Sequence, residues 1–149
     1  MPSRIHAPQL VDGLFRLSCL LHDTLARIAA EHDLSVIHLR LLRILRDHEP
    51  GMFELAQDLA LKKPTLTGCV DRAETRGLVM RMASPDDRRA SNVHLTAEGR
   101  RLSRVIEEAV NAEIEQLVAV LSAPERDRLA NHVSQVVAAA ERPPRRTRR

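Results

Sequence analysis

Arg88 and Arg89 stand side by side in Ser84-Pro-Asp-Asp-Arg-Arg-Ala-Ser91, a polar stretch of turn-forming residues. A guanidinium pair held on a turn offers planar, permanently charged donors suited to phosphate or carboxylate oxygens. Upstream, Lys63-Pro-Thr65 opens a segment that also carries Thr67, Arg72 and Arg76. These groups can hold an anionic surface, but they cannot carry out a reaction. The chain has no Gly-rich phosphate loop and no nucleophile elbow, and the acid pair Asp86-Asp87 has no catalytic partners at a recognisable spacing. No enzymatic activity is expected. The histidines His6, His22, His32, His38, His48, His94 and His132 show no HxxxH or CxxH spacing, so no metal and no cofactor are predicted. Cys19 and Cys69 form no CxxC pair. Cys19 falls in an apolar part of its helix, where a buried thiol is inert, and redox sensing is disfavoured.

The elements that must position these cations follow from periodicity. Leu10, Leu14, Leu17, Leu21, Leu25 and Ile28 recur at steps of three and four, predicting a helix from Gln9 to His32. Ser35 caps a second helix with Ile37, Leu41, Leu42 and Leu45 inward, which Glu49-Pro-Gly51 breaks. A short helix covers Phe53 to Leu59. The next begins around Lys63, takes Pro64 in its first turn, buries Leu66, Val70 and Ala73, and ends at Arg76 before Gly77. Leu78–Met82 and Asn92–Leu95 read as two strands of a hairpin with Arg88 and Arg89 at its tip. Thr96 then caps a long helix from Ala97 to Leu121, and Ser122-Ala-Pro-Glu125 is a capping box for the last one.

Composition and charge narrow the function classes. With two Phe and neither Tyr nor Trp, the chain lacks the aromatic platforms that stack single-stranded bases. No apolar run is long enough to span a bilayer and the first residues lack a signal-peptide core, so a cytoplasmic location is expected. The net charge of +3 is unevenly spread: residues 62–101 hold nine Lys and Arg against five acids, whereas residues 102–141 hold three against seven. The positive excess coincides with the helix and the hairpin, the footprint of a phosphate-binding surface. Residues 142–149 add five arginines in a Pro-rich tail, which is expected to be disordered. The tail either adds nonspecific DNA affinity or serves as a solubilising end. The terminal helices carry more apolar surface than one small lobe can cover, so a symmetric dimer built on them is predicted.

Glu54-Leu-Ala56, Lys63-Pro-Thr65, Val70-Asp-Arg72, Gly77-Leu-Val79, Arg81, Asp87-Arg-Arg89 and Leu95-Thr-Ala-Glu-Gly99 occur in that order. The set resembles the MarR family of bacterial transcription regulators. The resemblance implies a mostly α fold with a small β-wing: a winged helix-turn-helix core with N- and C-terminal dimerisation helices. It divides the chain into a dimerisation helix (1–33), a DNA-binding domain (34–100), C-terminal dimerisation helices (101–141) and the tail (142–149). It implies a homodimeric repressor on double-stranded DNA, each recognition helix in a major groove and each wing in a minor groove. Lys63, Pro64, Thr65, Thr67, Gly68, Arg72 and Arg76 then belong to the DNA-binding helix, and Asp87, Arg88 and Arg89 to the wing. Asp87 is expected to orient the wing through an arginine partner while Arg89 enters the groove. Two residues depart from the family pattern: Gly68, where relatives carry a longer polar side chain, and Ala73, where leucine is usual. A small-molecule effector is also expected from the resemblance, with Arg16, His22 and His38 as candidate lining residues. The alternative is a winged-helix protein-interaction module without sequence-specific DNA binding, which a basic wing tip disfavours.

Overall fold

The computed structural model describes residues 8–141. His6 and the Arg-rich stretch 142–149 lie outside the described residues. The element order is α1 (Pro8–Glu31), α2 (Val36–Asp47), α3 (Met52–Asp58), α4 (Lys63–Thr75), β1 (Val79–Ala83), β2 (Ser91–Leu95), α5 (Ala97–Leu117) and α6 (Ala123–Ala140). The chain forms two compact units, one ending at Asn111 and the other beginning at Ala112, so that α5 crosses from one to the other. The architecture is mostly helical, with one two-stranded antiparallel sheet.

In the first unit the core gathers around α2. Leu41, Leu42 and Leu45 from its inner face meet Leu55 and Leu59 of α3, Leu66 and Val70 of α4, and Val79 and Val93 of the sheet, all buried. Ile28 and Ala29 close this core from the end of α1. Every one of these side chains is aliphatic, which is how a chain with two Phe assembles an interior. Strand pairing runs from Val79 opposite Leu95 to Ala83 opposite Ser91. The alternation along β2 sends Val93 and Leu95 inward.

Local signals explain the boundaries. Ser35 Oγ lies 2.7 Å from His38 Nδ1 at the start of α2. Gly77 takes φ of +69°, the left-handed conformation that ends α4 without a Cβ penalty. At the start of α6, Glu125 accepts from the Ser122 amide at 2.8 Å and from its hydroxyl at 2.6 Å, and these bonds lower the carboxyl pKa. The predicted end of α5 at Leu121 is corrected to Leu117. Beyond it, Ala119 N bonds to Gln116 O and Leu121 N to Val118 O, three-residue bonds that tighten the chain out of the α-helix before Ser122 starts the next one.

The predicted inward stripe of α1 is only partly buried: Leu10, Leu14 and Leu17 are exposed in the single chain. So are Val133, Val136 and Val137 of α6. Cys19, expected to be shielded, is exposed too, because it lies on the part of α1 that the first unit's core does not reach. Cys69 is buried, and that burial pushes its thiol pKa up. No helix among the described residues is long and apolar enough to cross a membrane.

Candidate nucleic-acid interface

α4 divides along its length into a packed and an open face. Leu66, Cys69, Val70 and Ala73 point into the core, while Lys63, Pro64, Thr65, Arg72 and Arg76 are exposed and Thr67 and Gly68 lie between. Thr67 Oγ1 donates to the Lys63 carbonyl at 2.9 Å, which fixes its rotamer and leaves the hydroxyl oxygen able to accept. A Cβ built on Gly68 meets nothing within 4 Å, so this glycine is not there to accommodate a neighbour in the chain. Ala73, smaller than the expected leucine, is fully buried against the same core.

The cations on this face differ in what already holds them. Arg72 donates through Nε to the Gly68 carbonyl at 3.3 Å, which leaves its terminal nitrogens without an acceptor among the described residues. Lys63 has no ion pair among the described residues. Arg76, expected among the DNA-binding residues, donates through Nη1 to the carbonyls of His32 and Asp33, both at 2.8 Å. It therefore caps the end of α1, where Asp33 adopts φ of 54°.

The wing is built at both ends by hydrogen bonds that its sequence specifies. At the tip, Asp87 Oδ1 accepts from the Arg89 amide at 2.9 Å, the Asp87 carbonyl accepts from the Ala90 amide at 3.0 Å, and Ser84 N closes on Ala90 O at 3.0 Å. The expectation that Asp87 works through an arginine side chain is thus corrected: its partner is the backbone two residues on, because the turn brings that amide closer than any guanidinium. Arg88 and Arg89 are exposed and make no ion pair among the described residues.

The positioning ion pairs sit at the root instead. Arg81 on β1 donates through Nη2 to Asp71 Oδ1 at 2.6 Å and through Nη1 to Glu74 Oε2, and its amide donates to Glu74 Oε1 at 3.2 Å. Partial burial works against the Arg81 charge, but the bonds and charges of Asp71 and Glu74 outweigh it and raise its pKa. These contacts lock the strand to α4. Thr96 completes the root: its hydroxyl donates to the Gly77 carbonyl at 2.6 Å and accepts from the Gly99 amide at 3.0 Å. A Cβ on Gly99 would lie 1.9 Å from the Leu78 carbonyl oxygen, so only glycine lets α5 start this close to the α4–β1 junction. That contact is the physical content of the Leu95-Thr-x-x-Gly99 motif.

The three effector candidates are not brought together. Arg16 and His22 are exposed on α1, Arg16 facing Asp12 at 3.8 Å. His38 is buried at the start of α2, and burial lowers its pKa, opposed by a backbone hydrogen bond with Cys69 and reinforced by the charges of Arg72 and Arg76. A pocket of about 120 Å³ that the sequence reading missed lies between α2 and α5, with Leu39, Ile106 and Val110 on its walls and Arg40, Arg43 and Arg46 beside them. The i, i+3, i+6 spacing of those arginines was the available signal. Of the three, Arg46 is paired with Glu107 and with Asp47.

A family model described as the MarR family matches residues 34–91. The HTH-type transcriptional regulator PecS of Dickeya dadantii is 35% identical over 112 residues, which span 71% of this chain and 68% of PecS. Among solved structures, NadR in complex with 4-hydroxyphenylacetate superposes with a TM-score of 0.71 at 26% identity, covering 91% of this chain and 97% of that one. The transcriptional repressor CouR bound to a 23-mer DNA duplex shares the fold, with a TM-score of 0.72 at 24% identity over 84% of this chain and 89% of CouR.

Proposed function

The chain belongs to the MarR family of DNA-binding transcriptional regulators, and on that premise we propose that it is a homodimeric repressor gripping a pseudo-palindromic operator with two winged lobes. The observation that carries this reading is the pattern of spent and unspent cations. Arg81 and Arg76 are used up inside the fold, whereas Lys63, the end of Arg72, Arg88 and Arg89 are exposed and uncommitted. α4 lies in the major groove, with Pro64, Thr65, Thr67 and Gly68 near base edges and Lys63 and Arg72 on phosphates. Arg89 enters the minor groove, where a guanidinium suits the concentrated negative potential, and Arg88 meets the flanking backbone.

Dimerisation is supported by the exposed leucines of α1 and the exposed valines of α6, surfaces a second copy would cover. The domain division is that of the resemblance: residues 1–33 and 101–141 serve the dimer and residues 34–100 the DNA, and the protein works in the cytoplasm without catalysis. A small-molecule effector would act by changing the separation of the two lobes. The pocket between α2 and α5 is better suited to it than Arg16, His22 and His38, because it combines aliphatic walls with arginines. The NadR complex shows that a related fold accommodates a small organic acid.

The test is a mobility shift with DNA from upstream of the chain's own gene, in the presence of nonspecific competitor. A discrete complex saturating at one dimer per site supports the reading, and shifting that competitor abolishes at equal mass contradicts it.

A further inference from the structure

α2 ends at Asp47, and the chain turns through His48, Glu49, Pro50 and Gly51 into α3. This turn is pinned to the sheet: Val93 N donates to the Pro50 carbonyl at 3.0 Å, Asn92 Nδ2 donates to the Glu49 carbonyl at 2.9 Å, and Gly51 bridges Asn92. The pinning sets His48 over the open face of α3. Glu54 and Asp58, four residues apart, share that face. His48 Nε2 lies 3.9 Å from Glu54 Oε1 and 3.7 Å from Asp58 Oδ2, and the three atoms all fall within 4.8 Å of one another.

We propose that His48, Glu54 and Asp58 form a surface site for a divalent transition cation, zinc being the best match. One imidazole nitrogen and two carboxylate oxygens are a borderline donor set, nitrogen-bearing enough to favour zinc and its neighbours and too poor in oxygen for calcium. Donors around a tetrahedral zinc stand roughly 3.3 Å apart. All three side chains are exposed, so rotamer changes can draw the donors together without moving backbone, by about half an ångström for the two histidine contacts and by up to about 1.5 Å between the two carboxylates.

Electrostatics favours a cation here. Neither Glu54 nor Asp58 has a lysine or arginine partner among the described residues, and two carboxylates at i and i+4 repel. The neighbouring Glu49 does not compete, since its carboxylate pairs with His94 at 3.0 Å. The set lacks the paired histidines and cysteines by which a zinc site is legible in a sequence. His48-x5-Glu54-x3-Asp58 becomes a cluster only after the Pro50-Gly51 turn folds back. A bound cation would tie the end of α2 to α3, the helix that precedes the recognition helix, and so stiffen the lobe from outside its core.

The experiment uses the full chain, stripped with chelator, titrated calorimetrically with zinc and followed spectroscopically with cobalt(II). One equivalent per chain is expected, with the strong visible absorption of four-coordinate cobalt. His48→Ala and the double variant Glu54→Gln/Asp58→Asn should each weaken zinc binding by about tenfold or more, while His132→Ala leaves it unchanged. Far-UV circular dichroism checks that each variant is folded, and if one is not, the other decides. Absence of stoichiometric zinc uptake by the wild type, or equal affinity in a folded site variant, overturns the site.

Discussion

The root and the tip of the wing use the same residue type for opposite purposes. At the root, Arg81 is clasped by Asp71 and Glu74 and is partly buried. At the tip, Arg88 and Arg89 are exposed and only their backbone is organised, through Asp87. An arginine whose donors are satisfied within the fold fixes geometry. One whose donors face solvent keeps its charge for a partner, and the work of ordering it falls on the turn beneath. The division teaches that counting cations overstates an interface. The nine Lys and Arg of residues 62–101 include Arg76 and Arg81, both committed internally, and Arg101, paired with Glu98.

If the root is structural, disturbing it must cost stability before it costs affinity. Gly99→Ala should produce the largest effect, because the added methyl meets backbone and not a flexible side chain. A loss of about 3 kcal/mol is expected, seen as a fall of about 10 °C in melting temperature. Unchanged melting would show that the contact between α5 and the α4–β1 junction is not needed.

Arg81→Ala should come next. It removes a part-buried charge pair and leaves Asp71 and Glu74 uncompensated, so stability should drop by about 1–2 kcal/mol. Operator affinity should fall with it, since the wing loses its fixed angle to α4. A variant with normal melting but lost binding would make Arg81 a DNA contact and erase the contrast between root and tip.

The smallest effect belongs to the open face of α4. Gly68→Ala should stabilise the chain by about 1 kcal/mol, because the helix gains propensity and the methyl enters open space. Thermal melting of the free protein should rise accordingly. A fall would mean that the face is packed and unavailable to a partner.

Much of the lobe was legible because its signals are local. Ser35, Ser122 with Glu125, Gly77 and the capping bond that Thr96 accepts from the Gly99 amide each act within a few residues of their own position, and each marks the boundary expected of it. What escaped depended on distant neighbours. Arg76 reaches back to His32 and Asp33 across the α1–α2 turn, and Arg81 finds its acids only once β1 runs back beside α4. The exposure of Cys19 is likewise a tertiary fact: apolar residues surround it in sequence, but no packed layer covers it. The end of α5 is not legible in the sequence, because Val118 to Leu121 continue the apolar pattern while the hydrogen bonds of Ala119 and Leu121 tighten to a three-residue step.

Whether an unspent cation at the wing tip holds DNA is decided by titrating Arg89→Ala and wild type against the operator across a range of salt concentrations. The expected result is a loss of about 2 kcal/mol, or roughly thirtyfold, with the logarithmic salt slope shallower by about one and with melting and dimerisation unchanged. Affinity within twofold of wild type and an unaltered slope would contradict it.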